Sequence, residues 1–180
     1  MSILITGGAG YIGTHTCVEL LSSNYDIVVV DNLCKSKPEA LNRLKEITGK
    51  GFTFYEVDIL EREALEKVFI ENDIEVVIHF AGLKSVCESA ELPLSYYHNN
   101  IIGTIILCEV MLKYNVKKMV FSSSAAVYGI PQKLPISEDS VLIPKNPYGR
   151  TKLVIEEMLR DICASDNSWS ITILLYFNPI

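Results

Sequence analysis

The amino-acid sequence predicts the α/β class, with a doubly wound parallel sheet that carries helices on both faces. Three observations predict it. Short, near-continuously apolar runs alternate with amphipathic stretches from one end of the chain to the other, as strands do when crossover helices cover them on both sides. The 180 residues suffice for one domain with a substantial core but not for two, so a single domain over 1–180 is expected. Hydrophobic residues make up 49% and charged residues 21%, which excludes a disordered chain.

The elements follow in order. Residues 2–6, "SILIT", form an apolar first strand, and an amphipathic stretch over about 11–22 forms the first helix. The second strand is 26–31, "DIVVVD", followed by a helix over 38–48; the third is 52–57, "FTFYEV", followed by a helix over 61–72. Residues 75–80, "EVVIHF", and 117–122, "KKMVFS", give the fourth and fifth strands, with a helix over 93–114 between them. A long irregular stretch, 123–147, holds Pro131, Pro135, Pro144 and Pro147, and loops of that length usually carry function. A helix over 148–165 and a strand over 170–177 complete the pattern, for which the expected strand order is 3-2-1-4-5-6.

Two helices stand out. The stretch "LSYYHNNIIGTIILCEVMLKY" is apolar nearly all round, so it needs cover beyond the sheet, and helices 93–114 and 148–165 together could form a homodimer face. The last strand stops at Ile180 with no following element to cover it, so the sequence is expected to halt partway through a larger fold, leaving an open edge and an apolar patch.

Charge and cysteines bound the partners. The net charge is −6 and no Lys/Arg stripe forms, which argues against nucleic acid. Five cysteines lack a C-x-x-C pair and are read as reduced, which fits the cytoplasm; no metal site is expected. "MSILIT" resembles no targeting segment, and no run is long enough for a membrane span.

The first strand ends in "TGGAGYIG". Gly7, Gly10 and Gly13 suit a tight turn, a close backbone approach to a pyrophosphate and tight helix packing, with the phosphates at the helix amino terminus beside Tyr11 and Ile12. Asp31 ends the second strand eighteen residues after Gly13, where a carboxylate accepts from ribose hydroxyls and repels a 2′-phosphate. This is the Rossmann arrangement, and it predicts NAD rather than NADP. Asp58 and Ile59 are placed to flank the adenine, although an acid there also serves as a cap for "DILEREAL".

"YGRTK" sets Tyr148 and Lys152 four apart on one helix face, and "FSSSAAVYG" brings Ser122, Ser123 and Ser124 out at the carboxyl edge of the sheet. A tyrosine with an ordinary pKa near about 10 needs a cation to act as a base at neutral pH, and Lys152 is placed to supply one. A serine hydroxyl can then bind the substrate oxygen and relay the proton, a combination that points to hydride transfer.

With these residues in view, the chain resembles the extended short-chain dehydrogenase/reductase family, and "HFAGLKSVCESAELPLSYYHNNIIGT" resembles its UDP-glucose 4-epimerases. The resemblance covers residues 2–180. It implies an isomerase of carbohydrate and galactose metabolism, with NAD held by Gly7, Gly10, Gly13, Asp31, Asn32, Asp58 and Ile59. It implies that Phe80, Ala81 and Lys84, with Asn99 beside them, line the pyrophosphate and nicotinamide ribose. Ser124, Tyr148 and Lys152 match the catalytic group, and Tyr176, Phe177 and Asn178 lie between cofactor and sugar. His79 is read as a core histidine.

The implied reaction is a transient oxidation at C4 of a UDP-sugar and return of hydride to the other face of the 4-keto sugar. Related dehydratases carry an acidic pair where this chain has Ala125 and Ala126, so elimination would lack its acid and base. The chain departs from the epimerase pattern at Leu175, Ala126 and Cys87. Because family members are about twice as long, with a smaller carboxyl-terminal domain that grips the nucleotide, a second reading stands beside the first: a non-catalytic, NAD-binding fragment.

Overall fold

A computed structural model describes residues 1–131 and 133–178. The strands are β1 (Ser2–Thr6), β2 (Ile27–Asp31), β3 (Thr53–Glu56), β4 (Ile74–His79), β5 (Lys118–Ser124) and β6 (Ser170–Tyr176). All six pair in parallel in the order β3-β2-β1-β4-β5-β6, as the alternation predicts. The order reverses between β1 and β4, which opens a crevice at their carboxyl ends.

Helices α1 (Tyr11–Ser22) and α2 (Pro38–Thr48) cover one face. There Ile5, Ile27 and Val29 pack with Cys17, Leu21, Leu41 and Leu44. The alternate residues Leu4, Val28 and Val30 point to the other face, against α3 (Arg62–Glu71), α6 (Gly103–Lys113) and α7 (Pro147–Ser165). This second core holds Leu65, Phe69, Leu107, Met111, Ile155 and Leu159, and it presses α7 against β5.

The helix expected over 93–114 is not one regular helix. A short α4 (Val86–Glu91), absent from the sequence reading, precedes α5 (Pro93–Tyr96), a π-helical turn (Tyr97–Ile102) and then α6. Pro93 starts α5 because it can occupy only the first turn, and Ser85 caps α4 by accepting from the Glu88 amide at 3.3 Å. The π turn arises where the Asn100 side chain leaves the helix to bond the main chain of Leu83, a tertiary demand that apolar periodicity does not encode.

The last strand stands at the open edge that the expected strand order gives it, but it is not covered on both faces as its apolar run suggested: the side chains of β6 alternate between half-buried and exposed, with Leu174 40% exposed. Helices α1 and α2 cover β1 to β3 and do not reach it.

His79 is the core residue the sequence suggested. It is 1% exposed; its Nδ1 lies 2.7 Å from Thr6 Oγ1 and its Nε2 2.9 Å from Thr104 Oγ1. Because Thr104 donates its own proton to the Asn100 carbonyl at 2.7 Å, it must accept from Nε2–H, which fixes the tautomer. Burial, with the Lys152 charge adding to it, pushes the imidazole pKa down to about 3. The unfolded chain therefore takes up a proton below about pH 6.5 that the native state refuses until about pH 3, and stability falls across that window. Urea unfolding followed by Trp169 fluorescence should show His79→Gln losing about 3 kcal/mol less than the parent between pH 7 and pH 4.

Candidate active site

The crevice at the switch point is a cavity of ≈ 570 Å³, within the range of small-molecule sites. Its wall takes in Gly7, Gly10, Tyr11, Ile12, Gly13, Asp31, Asn32 and Ile59 on one side. Phe80, Ala81, Lys84, Asn99, Ser122, Ser123, Ser124, Tyr148, Lys152, Tyr176, Phe177 and Asn178 lie on the other. Of the residues singled out in the sequence, only Asp58 is not in this wall.

The glycine turn is shaped by close backbone approach. Gly7 has φ +70, and a Cβ there would sit 2.6 Å from the Ala81 nitrogen, so β1 and the loop after β4 meet main chain to main chain. A Cβ on Gly13 would meet the Gly7 carbonyl and lie 2.7 Å from Gly8 Cα, which brings α1 down onto the turn. Helix α1 has Gly10 as its N-cap, no side-chain cap and no acidic residue in its first turn. Its first amides are thus unclaimed by side chains and carry the positive end of the helix dipole.

Asp31 ties the turn to the loop after β2. Its carboxylate accepts from the Ala9 amide at 3.0 Å, the Leu33 amide at 2.9 Å and the Ser36 hydroxyl at 2.8 Å. Asp58 stands behind the wall: it accepts from Asn32 Nδ2 at 2.7 Å and from the Leu60 amide at 2.9 Å. It does not cap α3, whose N-cap is Glu61; it orients Asn32 instead. Buried Ile59 is wedged against Gly103, where a Cβ would sit 2.8 Å from Ile59 Cγ1.

Ser124, Tyr148 and Lys152 converge from two elements. Strand β5 extends through Ser124, two residues beyond the sequence expectation, and a short 3₁₀ turn (Ala125–Val127) follows. Ser124 Oγ accepts from the Ala126 amide at 3.2 Å, which orients the oxygen and leaves its proton free to donate. Helix α7 begins at Pro147, with Asn146 Oδ1 accepting from the Gly149 amide at 2.7 Å. A Cβ on Gly149 would sit 2.7 Å from the Ala126 carbonyl, so glycine lets the helix start close to the turn and sets Tyr148 near Ser124.

Lys152 is 5% exposed, donates to the Ser122 carbonyl at 2.8 Å, and holds its Nζ 4.8 Å from the Phe121 ring centroid and 6.0 Å from that of Tyr148. Burial pushes its pKa down to about 8, with Glu156 opposing, so it remains mostly cationic at neutral pH. Burial raises the Tyr148 phenol above its ordinary value, with Ser124 opposing. In this state the phenol is protonated, and Lys152 spends a hydrogen bond on the strand.

Several supporting groups had no signal in the linear sequence. Asn100 is 2% exposed and bonds the Leu83 main chain at 2.8 and 2.9 Å and Thr151 Oγ1 at 3.1 Å; Thr151 in turn donates to the Tyr148 carbonyl at 2.7 Å. Lys35 pairs with Glu88 at 2.9 Å, and Tyr96 donates to Glu88 at 2.7 Å, joining the two rims of the cavity. Among the described residues there is no group of His, Cys, Asp and Glu able to hold a metal ion, and no helix is long and apolar enough to cross a membrane.

Residues 3–180 match the NAD dependent epimerase/dehydratase family. The chain belongs to that family. Among its relatives, the UDP-glucose 4-epimerase of Bacillus subtilis is 66% identical over 179 residues, covering 99% of this chain and 53% of the relative. The structure superposes with a TM-score of 0.98 on the UDP-glucose 4-epimerase of Bifidobacterium longum in complex with NAD+ and UDP, at 51% identity over 100% of this chain and 54% of that one. The UDP-Glc/GlcNAc 4-epimerase of Campylobacter jejuni superposes with a TM-score of 0.93 at 42% identity, covering 98% of this chain and 53% of that one. Measured against these epimerase/dehydratase relatives, the chain spans about half of their length.

Proposed function

We propose that this chain holds NAD in the switch-point cavity and carries the acid–base group that epimerises a UDP-sugar at C4, interconverting UDP-galactose and UDP-glucose. One observation carries the reading: Ser124, Tyr148 and Lys152 meet in the wall of the cavity that also contains the glycine turn and Asp31.

The wall fits a dinucleotide. The main-chain cradle at Gly7 and Gly13 has no room for a Cβ, and the uncapped start of α1 suits a pyrophosphate. Asp31 and Asn32 would hold the adenosine ribose, Ile59 the adenine, and Phe80, Ala81, Lys84 and Asn99 the pyrophosphate and second ribose, with Asp58 acting through Asn32. Tyr11, Ile12, Ser122 and Tyr176 would complete the cofactor wall. Bound NAD supplies a two-electron acceptor and donor for the sugar carbon.

The chain's own residues handle the proton. Tyr148 as phenolate takes the proton of the 4-hydroxyl, with Ser124 donating to the same oxygen, and returns it when the alcohol is regenerated. Because burial alone raises the phenol, the cationic Lys152 is what favours the phenolate once the site is filled. Lys84, Phe177 and Asn178 would meet the sugar nucleotide.

A second reading has its own observation. On the sugar side Phe177 is 57% exposed, so that side is only partly walled, and a site that cannot draw on binding energy remote from the reacting centre does not position its substrate. In that reading the 180-residue chain binds NAD without turnover. The test is conversion of UDP-galactose to UDP-glucose by the purified chain, with NAD binding measured in the same sample. Conversion supports the epimerase; a folded, NAD-binding sample with no conversion supports the second reading, and failure to bind NAD overturns both.

The cytoplasm is the proposed location, and a second copy is the proposed protein partner, through the π turn, α6 and α7. Ile102, Leu112 and Val154 on these segments are 40%, 55% and 40% exposed. Sedimentation velocity should give a dimer for the parent chain and a monomer for Leu112→Glu with Val154→Glu.

A further inference from the structure

Glu156 lies one helical turn beyond Lys152 and two beyond Tyr148, so the three share a stripe of α7. It is 0% exposed, yet it is not in the cavity wall. One carboxylate oxygen accepts from the Ser123 hydroxyl, and the other accepts from Arg160 Nη2 at 2.8 Å. Ser123 is itself 2% exposed and stands between Ser122 and Ser124 in the cavity wall, yet its hydroxyl is engaged by Glu156. Two consecutive β5 residues are thus fastened to α7 one turn apart: the Ser122 carbonyl by Lys152 and the Ser123 hydroxyl by Glu156.

A buried carboxylate is costly unless it is paired and hydrogen-bonded, and a fully apolar contact would join strand to helix as firmly. Its surroundings explain why a charge is useful there. The titratable groups set against Lys152 are His79 from β4 and Tyr148 and Glu156 from its own helix. Strand β5 presents the Phe121 ring and the Ser122 carbonyl, and the π turn presents the neutral amide of Asn100 behind Gly82. His79 is uncharged at neutral pH. Tyr148, its pKa raised by burial, is a neutral phenol. Glu156 supplies the anion.

We infer that Glu156 is a positioning residue of the site: it keeps the buried Lys152 cationic and, through Ser123, holds the end of β5 in register with the helix that carries Lys152 and Tyr148. It touches neither substrate nor cofactor and acts through Lys152. Arg160, about half exposed, shares the carboxylate and tempers its charge. The inference rests on the proposed role of Lys152, but the coupling it describes is a property of the chain with nothing bound. Burial pulls the ammonium down to about 8, and Glu156 is the opposing influence.

The test follows the Lys152 titration directly. Lysine Cε is labelled with carbon-13 in the intact chain, the Lys152 signal is assigned by its loss in Lys152→Met, and its midpoint is read by NMR from pH 6 to pH 11. In Glu156→Gln the midpoint is expected to fall by about one pH unit, since a charge one turn away in partly buried surroundings is worth at least that much. In Arg160→Gln, which strips only a half-exposed side chain, the midpoint is expected to rise. A merely structural Glu156 moves neither. Midpoints unchanged in both variants, or moved in the same direction, overturn the inference; if Glu156→Gln does not fold, a midpoint that fails to rise in Arg160→Gln overturns it alone. NAD affinity measured on the same samples keeps the two readings apart. Opposite movements of the midpoint without any NAD binding leave the coupling standing and remove the cofactor reading.

Discussion

Tyr148→Phe is expected to lower UDP-galactose conversion by about 10²–10⁴-fold while leaving NAD binding and thermal stability near those of the parent chain. The physical reason is the separation of tasks along α7. In the proposed mechanism the phenol oxygen takes the sugar proton, whereas the ring fills space beside Lys152, and phenylalanine fills that space equally well. Lys152, which holds the strand through the Ser122 carbonyl, is untouched by the change. The measurement is turnover at saturating sugar nucleotide, alongside a NAD titration and a melting curve. A variant that keeps a tenth or more of the parent rate would remove Tyr148 from the chemistry. One that loses NAD as well would make it a cofactor ligand first.

The second large effect is expected at the turn between β1 and α1. Gly13→Ala should weaken NAD binding by more than 100-fold and destabilise the fold by about 1–3 kcal/mol, the usual cost of overpacking. The added methyl meets the Gly7 carbonyl and Gly8 Cα, both main chain, so no side chain can swing away to admit it. Either α1 lifts off the turn, which moves the first-turn amides away from the phosphates, or the turn itself unwinds. Gly51→Ala is the control: nothing lies within 4 Å of the added carbon, and stability and affinity should both be unchanged. Equal behaviour of the two variants in a NAD titration would sink the phosphate role of this turn. Gly7→Ala, with φ +70 and backbone at 2.6 Å, should fall with Gly13→Ala.

Much of the site was legible because its parts sit at strand ends and in one helical repeat. Once strands and helices alternate, right-handed crossovers bring every strand's carboxyl end to the same edge. The glycine turn, Asp31, the loop after β4, Ser124 and Tyr176 then fall along that edge without further information. Tyr148 and Lys152 join them because residues four apart share a helix face. What periodicity could not reveal is instructive. Asp58 has the right position in the chain, yet its carboxylate turns to Asn32 and Leu60, because a short side chain after a strand finds its own backbone first. The π turn at 97–102 was hidden inside a segment whose apolar character looked like one helix, and α4 lies just before that segment, in a stretch with no apolar period to mark it.

The distinction has a physical basis. By itself, the sequence determined what depends on local order along the chain: the alternation of strand and helix, the parallel sheet and its order, the glycine turn, and the spacing of Tyr148 from Lys152. These rest on periods of two and about 3.6 residues and on backbone conformations that only glycine adopts freely. Tertiary structure alone decided what depends on contacts between residues far apart. Asn100 bridges the Leu83 loop to Thr151, Lys35 reaches Glu88, and the Ser123 hydroxyl bonds Glu156. It also decided how far β6 is covered, since the burial of an edge strand is set by helix placement rather than by its own composition. A buried polar group must find a partner wherever the fold supplies one, and the linear sequence does not name that partner.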